Sequence, residues 1–164
     1  MMGEDIASWV ISVFGDSIGK IIGVLFISML PIIELRGAIP VGMLLGFDWP
    51  AAMALSIIGN LLPIPFILLF LDKIFIFLKR FKFTKKIVEK LERKAEKKSS
   101  SVTKYEFWGL AIFVGIPLPG TGAWTGALVA SVLKMPKKKA FASIFIGVIT
   151  AAIAVTLLTY GIFG

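Results

Sequence analysis

The apolar block from Phe107 to Leu133 has a basic cluster on each side, and its length suits neither simple way of crossing a membrane. Upstream lie Lys79, Arg80, Lys82, Lys85, Lys86, Lys90, Arg93, Lys94, Lys97, Lys98 and Lys104; downstream lie Lys134, Lys137, Lys138 and Lys139. A helix spanning the hydrocarbon core needs about 20 apolar residues. One crossing would put the two clusters on opposite faces, against the bias that keeps Lys and Arg in the cytoplasm. Two crossings need about 40 residues, and the block holds 27. What fits is a re-entrant hairpin over residues 105–133. Its break falls at Ile116-Pro117-Leu118-Pro119-Gly120-Thr121-Gly122, where two prolines and two glycines end one arm and begin another. Thr103-Lys-Tyr-Glu106 has the capping-box spacing and predicts the helical start.

Composition supports the bilayer as solvent. The chain of 164 residues is 57% hydrophobic and 17% charged, against about 45–50% and about 25% in soluble domains. It has no Cys and no His, which excludes disulfides, thiol catalysis, Cys/His zinc sites and Ser-His-Asp chemistry. No cofactor and no metal site is expected. The net charge of +8 equals the balance of the segment Lys79 to Lys104 alone, with its three acids Glu89, Glu92 and Glu96.

Residues 17–47 read as a second re-entrant hairpin, broken at Pro31-Ile-Ile-Glu34-Leu-Arg36-Gly37-Ala-Ile-Pro40; its second arm, about ten residues long, is too short to span. Trp49 to Leu71 and residues 136–163 are long enough to cross. Hairpin, span, basic loop, hairpin, span is a repeat, and an offset of 86 superposes Gly23 on Gly109, Pro31 on Pro117 and Pro50 on Pro136. Each hairpin adds no net crossing and each span adds one, so the second unit enters from the opposite side, as in inverted-repeat transporters. The expected fold is therefore an all-α integral membrane protein, an inverted repeat of re-entrant helical hairpin plus transmembrane helix in one membrane domain (1–164). It is preceded by an interfacial amphipathic helix over 5–15, where Ile6, Trp9, Val10, Val13 and Phe14 form one stripe. The loop 72–104, with an amphipathic helix over 84–99, and residues 134–139 are placed in the cytoplasm, and both termini outside.

Two charges sit deep in the apolar blocks. Glu34 and Arg36 each carry an insertion cost of about 2.5–3.5 kcal/mol at mid-membrane. Two roles are open to them: substrate or ion binding in a cavity at an unwound tip helped by Gly37 and Pro40, or a lock that only holds the tip together. Pro117, Pro119, Gly120, Thr121 and Gly122 would leave the N-terminus of a half-helix aimed at the same cavity. Such an end favours a carboxylate or phosphate, and Thr121, Thr125 and Trp124 would line it. The alternative is a break that serves packing. Asn60, Pro63 and Pro65 inside the first span weaken its helix and provide a polar contact for substrate or a hinge; the alternative for Asn60 is an interhelical hydrogen bond. Gly19/Gly23, Gly42/Gly46 and Gly122/Gly126 have the spacing of close-packing glycine pairs.

The run Glu34-Leu-Arg36-Gly37-Ala-Ile-Pro40, followed by Pro117-Leu-Pro119-Gly120-Thr121-Gly122-Ala-Trp124-Thr-Gly126-Ala-Leu, resembles the small multidrug export proteins, distant relatives of the DedA/VTT membrane proteins. The resemblance covers Ile18 to the C-terminus. It implies two opposed re-entrant hairpins and a transport or lipid-translocation role. In DedA-type relatives acidic residues of the first hairpin are linked to proton coupling and arginines of the second to an anionic head group. Glu34 carries over; the second hairpin has no arginine, and the intramembrane guanidinium is Arg36 on the first.

The expected function is that of a multi-pass transporter, coupled to protons or another ion, moving a small or lipid-like anionic or amphipathic substrate. The alternative is a non-transporting scaffold whose basic loop binds anionic lipid or a partner. An enzyme is not expected, because Asp48 and Asp72 sit at opposite ends of one span and form no aspartyl dyad. Expected partners are membrane lipids at the basic loop and no nucleic acid. At this size a homodimer is one option.

Overall fold

The structure, a computed structural model, describes residues 12, 16–80, 85, 86, 89, 90, 93, 105–118 and 120–163. The expected interfacial helix (5–15) and loop helix (84–99) lie outside these apart from isolated positions, as does Pro119. The described residues form seven helices: α1 Asp16–Met29, α2 Glu34–Leu44, α3 Trp49–Leu61, α4 Ile64–Leu78, α5 Glu106–Gly115, α6 Ala123–Val132 and α7 Lys137–Phe163. No strand occurs among them.

Local chemistry sets the boundaries. Asp16 opens α1 and pairs with Lys20 at 3.2 Å, one turn on. Pro31 ends that helix, because the residue before a proline is pushed out of the helical region. α2 ends on Gly46, whose φ of +87° is the left-handed turn that glycine takes without steric cost. Phe47 N–H then donates back to the Gly42 carbonyl at 3.0 Å. Pro50 sits in the first turn of α3, where its missing N–H has no partner to lose. α5 begins with Tyr105 as its N-cap and Glu106 as its first residue. The capping-box reading rests on Thr103, which lies outside the described residues.

Trp49–Leu71 and Lys137–Ile162 are each long and apolar enough to cross a bilayer. The first is jointed. Pro63 and Pro65 cannot donate to the carbonyls four residues back, and the helix turns at Leu62 and Pro63 between α3 and α4. The outward faces are greasy and the inward ones small. Phe66, Leu69 and Phe70 on α4 and Ile153, Leu157 and Leu158 on α7 are exposed, whereas Ala52, Ala123, Ala127, Ala140 and Ala152 are fully buried. Water would penalise such an arrangement; lipid does not, and small residues let helix backbones approach.

α1 packs on α3 and α5 packs on α7; α2 lies against α1, α3 and α7, and α6 against α4, α5 and α7. The same local contacts recur in both halves. A Cβ on Gly59 would overlap the Leu25 carbonyl and Ser28 Oγ, and one on Gly147 would overlap the Ala111 carbonyl and Val114 Cβ. Ala111 and Val114 are 86 positions after Leu25 and Ser28, and Gly147 is 88 after Gly59. The end of α2 is matched as well. The bonds Leu45 to Val41, Gly46 to Met43 and Phe47 to Gly42 reappear 88 positions later as Leu133 to Val129, Lys134 to Ser131 and Met135 to Ala130. Lys134 (φ 53°) stands where the first half has Gly46. The offset grows by two because seven residues join α5 to α6 against four between α1 and α2, while α6 itself starts one position later in the match than α2. In the structure Pro136 therefore matches Asp48, whereas the offset of 86 pairs it with Pro50.

Candidate functional site

The α1–α2 and α5–α6 connections meet, and the carboxylate of Glu34, the Nη atoms of Arg36 and the indole N–H of Trp124 each bond across the meeting point. Glu34 is the first residue of α2, in the left-handed region at φ 51°. A non-glycine residue there costs about 1–2 kcal/mol. Its carboxylate, 4% exposed, lies at the N-terminus of α6, where Oε1 accepts the Trp124 backbone N–H at 3.2 Å. Gly122 makes the approach possible, because any Cβ there would occupy the space of the Glu34 carboxylate. Gly122 is itself extended (φ −154°, ψ −171°), so it is needed for room and not for its backbone angles.

Arg36 points the opposite kind of charge at the opposite kind of dipole. Its Nη1 donates to the Leu118 carbonyl at 2.5 Å, and Nη2 to the Ile116 carbonyl at 3.2 Å and to Thr121 Oγ1 at 3.0 Å, with a further short bond to the Thr121 carbonyl. The Thr121 hydroxyl lies 2.7 Å from the Ile116 carbonyl and 2.8 Å from that of Leu118, which closes the loop into a cradle of oxygen atoms. Gly120, at φ +83° and with open space around it, supplies the reversal that turns these carbonyls inward. A third crossing bond runs from Trp124 Nε1 to the Met29 carbonyl at 3.1 Å. The α5–α6 connection thus presents N–H groups to a carboxylate and carbonyls to a guanidinium, both from α2.

Of the residues singled out by sequence, Glu34, Arg36, Thr121, Gly122 and Trp124 come together here, with Pro117 and Gly120 on the exposed rim of the same loop. Gly37 lies against the side chain of Ile33, the N-cap of α2, and Pro40 lies farther along α2. Thr125 is half-buried on α6. Asn60 is buried near the end of α3, and neither of its side-chain polar atoms has a hydrogen-bond partner among the described residues. The carbonyls of Met29, Ile116 and Leu118 escape sequence reading, since a backbone oxygen leaves no mark on residue type. Among the described residues no three His, Cys, Asp or Glu side chains gather to hold a metal ion.

Apolar faces turned outward, two helices of spanning length and a buried carboxylate beside a half-buried guanidinium between helical connections define an α-helical membrane protein. Residues 34–154 match the family described as putative small multi-drug export protein, and the chain belongs to that family. That match begins at Glu34 and includes Glu34, Arg36 and the α5–α6 connection, the whole first span and the second span as far as residue 154. No curated protein and no solved structure matches the chain.

Proposed function

We propose that this chain is an exporter in which the contact between Glu34 and the N-terminus of α6 is the gate, moving a small or lipid-like anionic or amphipathic substrate in exchange for protons or another ion. The observation that carries the reading is the occupancy of that helix end. An α-helix N-terminus in an apolar setting attracts an anion, and here the anion is the chain's own carboxylate. Protonating Glu34 removes the charge that holds it there, and a substrate carboxylate or phosphate competes for the same N–H groups. Either event frees α6 from α2, while the hold of Arg36 on the loop limits how far the two connections separate. The coupled ion and the substrate therefore act on one contact, as exchange requires.

The frame of this reading is an inverted repeat of two re-entrant hairpins and two spans. The matched contacts of Gly59 with Gly147 and of the two helix ends support it. The two connections cover part of each other's non-helical backbone, and in this reading their exposed rim at Ile32, Pro117 and Gly120 faces a wet cavity, since such backbone is tolerated at membrane depth only where protein or water covers it. In this arrangement the basic loop and residues 134–139 face the cytoplasm, with anionic lipid near the loop contributing about 1 kcal/mol per basic residue. The chemistry is transport and not bond-breaking.

The test is coupled flux. Proteoliposomes loaded with a pH-sensitive dye are challenged with amphipathic carboxylates and phosphates under an imposed proton gradient. Wild type shows substrate-dependent proton movement, and Glu34→Gln loses it. Equal gradient-dependent flux in Glu34→Gln overturns the gate.

A further inference from the structure

Ser56 and Asn60 lie one turn apart on the same face of α3, and both are buried, at 0% and 1% exposure. Ser56 Oγ, Asn60 Nδ2 and Asn60 Oδ1 all lack a hydrogen-bond partner among the described residues, as does Oγ1 of Thr156, 6% exposed, on α7. Four such atoms inside an apolar bundle are costly unless something pairs with them.

Their place in the fold says what that is. α2 and α3 run antiparallel from the turn at residues 45–48, with Gly42 against Ala52. Moving eight residues along each helix from that contact, about 12 Å at 1.5 Å per residue, brings Glu34 level with Asn60 and leaves Ser56 between. Tyr160 Oη donates to the Phe47 carbonyl at 2.8 Å, which fixes the end of α7 at that same turn and puts Thr156 one turn deeper. α3 packs against both α2 and α7. The sequence of groups from the turn inward is Tyr160, Thr156, Ser56, Asn60, Glu34. The other ionisable groups on the elements around Glu34 are Arg36 beside it, Asp16 and Lys20 at the far end of α1, and Lys137, Lys138 and Lys139 at the start of α7; α3 and α6 bring none.

We infer that the Ser56, Asn60 and Thr156 faces line an internal water site that delivers protons to Glu34 from the end of the molecule where α2 joins α3. An unpaired amide offers a donor and an acceptor together. A bare cation satisfies only its oxygen, whereas water satisfies both and links one group to the next. In each transfer one water O–H bond breaks as the next forms, and the last proton lands on a Glu34 carboxylate oxygen. Asn60 and the hydroxyls orient the waters.

The proton-delivery half rests on the gate proposed for Glu34; the water site does not, and the two are tested separately. The chain has no Cys, so single cysteines are placed by Ser56→Cys, Asn60→Cys and the lipid-facing control Ile58→Cys. Each is exposed to Ag+, a probe about the size of water, and read by protection from later alkylation in denaturant. A hydrated thiol ionises more readily than one in hydrocarbon, so one pKa unit makes the first two react about tenfold faster than the control. Reaction of both as slow as Ile58→Cys overturns the water site whatever the transport result. Asn60→Leu is then assayed for flux. Slowed coupled flux in a protein that keeps its wild-type elution profile supports delivery to Glu34, and unchanged flux overturns it. Absence of coupled flux in wild type refutes the gate and proton delivery together, and leaves the labelling result to decide the water site.

Discussion

Gly122→Ala isolates the contact between Glu34 and α6. The backbone of Gly122 is extended and suits alanine, so the substitution acts through its Cβ, which would take the space of the Glu34 carboxylate. Pushing the carboxylate away breaks its bond from Trp124 N–H. A hydrogen bond to a charged group is worth about 1.5–3 kcal/mol, and an anion at a helix N-terminus about 0.3–1 kcal/mol. The expected cost in wild type is about 2–3 kcal/mol, which lowers Tm by roughly 4–10 °C for a chain of this size. In a Glu34→Ala background there is no carboxylate to displace, and the same substitution costs less than about 0.5 kcal/mol. Thermal unfolding in detergent of wild type, both single variants and the double variant gives a coupling energy of about 2 kcal/mol. Gly120→Ala is the control. It stands in open space at φ +83°, so its cost of about 1 kcal/mol is conformational and adds to that of Glu34→Ala without coupling. Additive Gly122 and Glu34 variants would refute the reasoning.

Arg36→Lys loses the planar fork that reaches Ile116, Leu118 and Thr121 at once, and should lower stability by about 1–2 kcal/mol although the charge is kept; an unchanged Tm argues against the cradle. Gly59→Ala and Gly147→Ala should each cost about 1–3 kcal/mol by overpacking, while Gly109→Ala, with nothing within 4 Å, should be neutral in the same melt. Tyr160→Phe should cost about 1 kcal/mol through loss of its bond to Phe47. For topology, single cysteines at Ser100 and Lys134 should be labelled by an impermeant reagent from one face and those at Ser17 and Asp48 from the other; opposite labelling of Ser100 and Lys134 excludes the re-entrant second hairpin.

The breaks, the two long apolar helices and the charges needing partners were legible because each leaves a mark in residue type: proline and glycine where helices stop, runs of the right length, an acid and a base among aliphatics. The destinations of Glu34 and Arg36 were not legible. Arg36 binds carbonyls of Ile116 and Leu118, residues whose side chains say nothing about it. The glycines were half legible. The spacing rule paired Gly42 with Gly46, yet Gly46 ends a helix, while Gly59 and Gly147, which belong to none of those pairs, sit at the α1–α3 and α5–α7 contacts. A spacing of four marks one face of a helix and cannot tell which face meets a neighbour. The seven-residue second connection also hid the match between the halves, because one fixed offset cannot follow a pattern that shifts by two midway.

That difference in connection length reaches beyond alignment. The first half contributes the side-chain charges and the second the backbone that receives them, so the two tips are complementary and not copies. If the halves began as equals, the extra residues at the second tip ended the equivalence where they touch. The contact at the centre is therefore directional: an acid and a base from one connection meet backbone N–H and carbonyl groups of the other, and exchanging the two connections would not restore it.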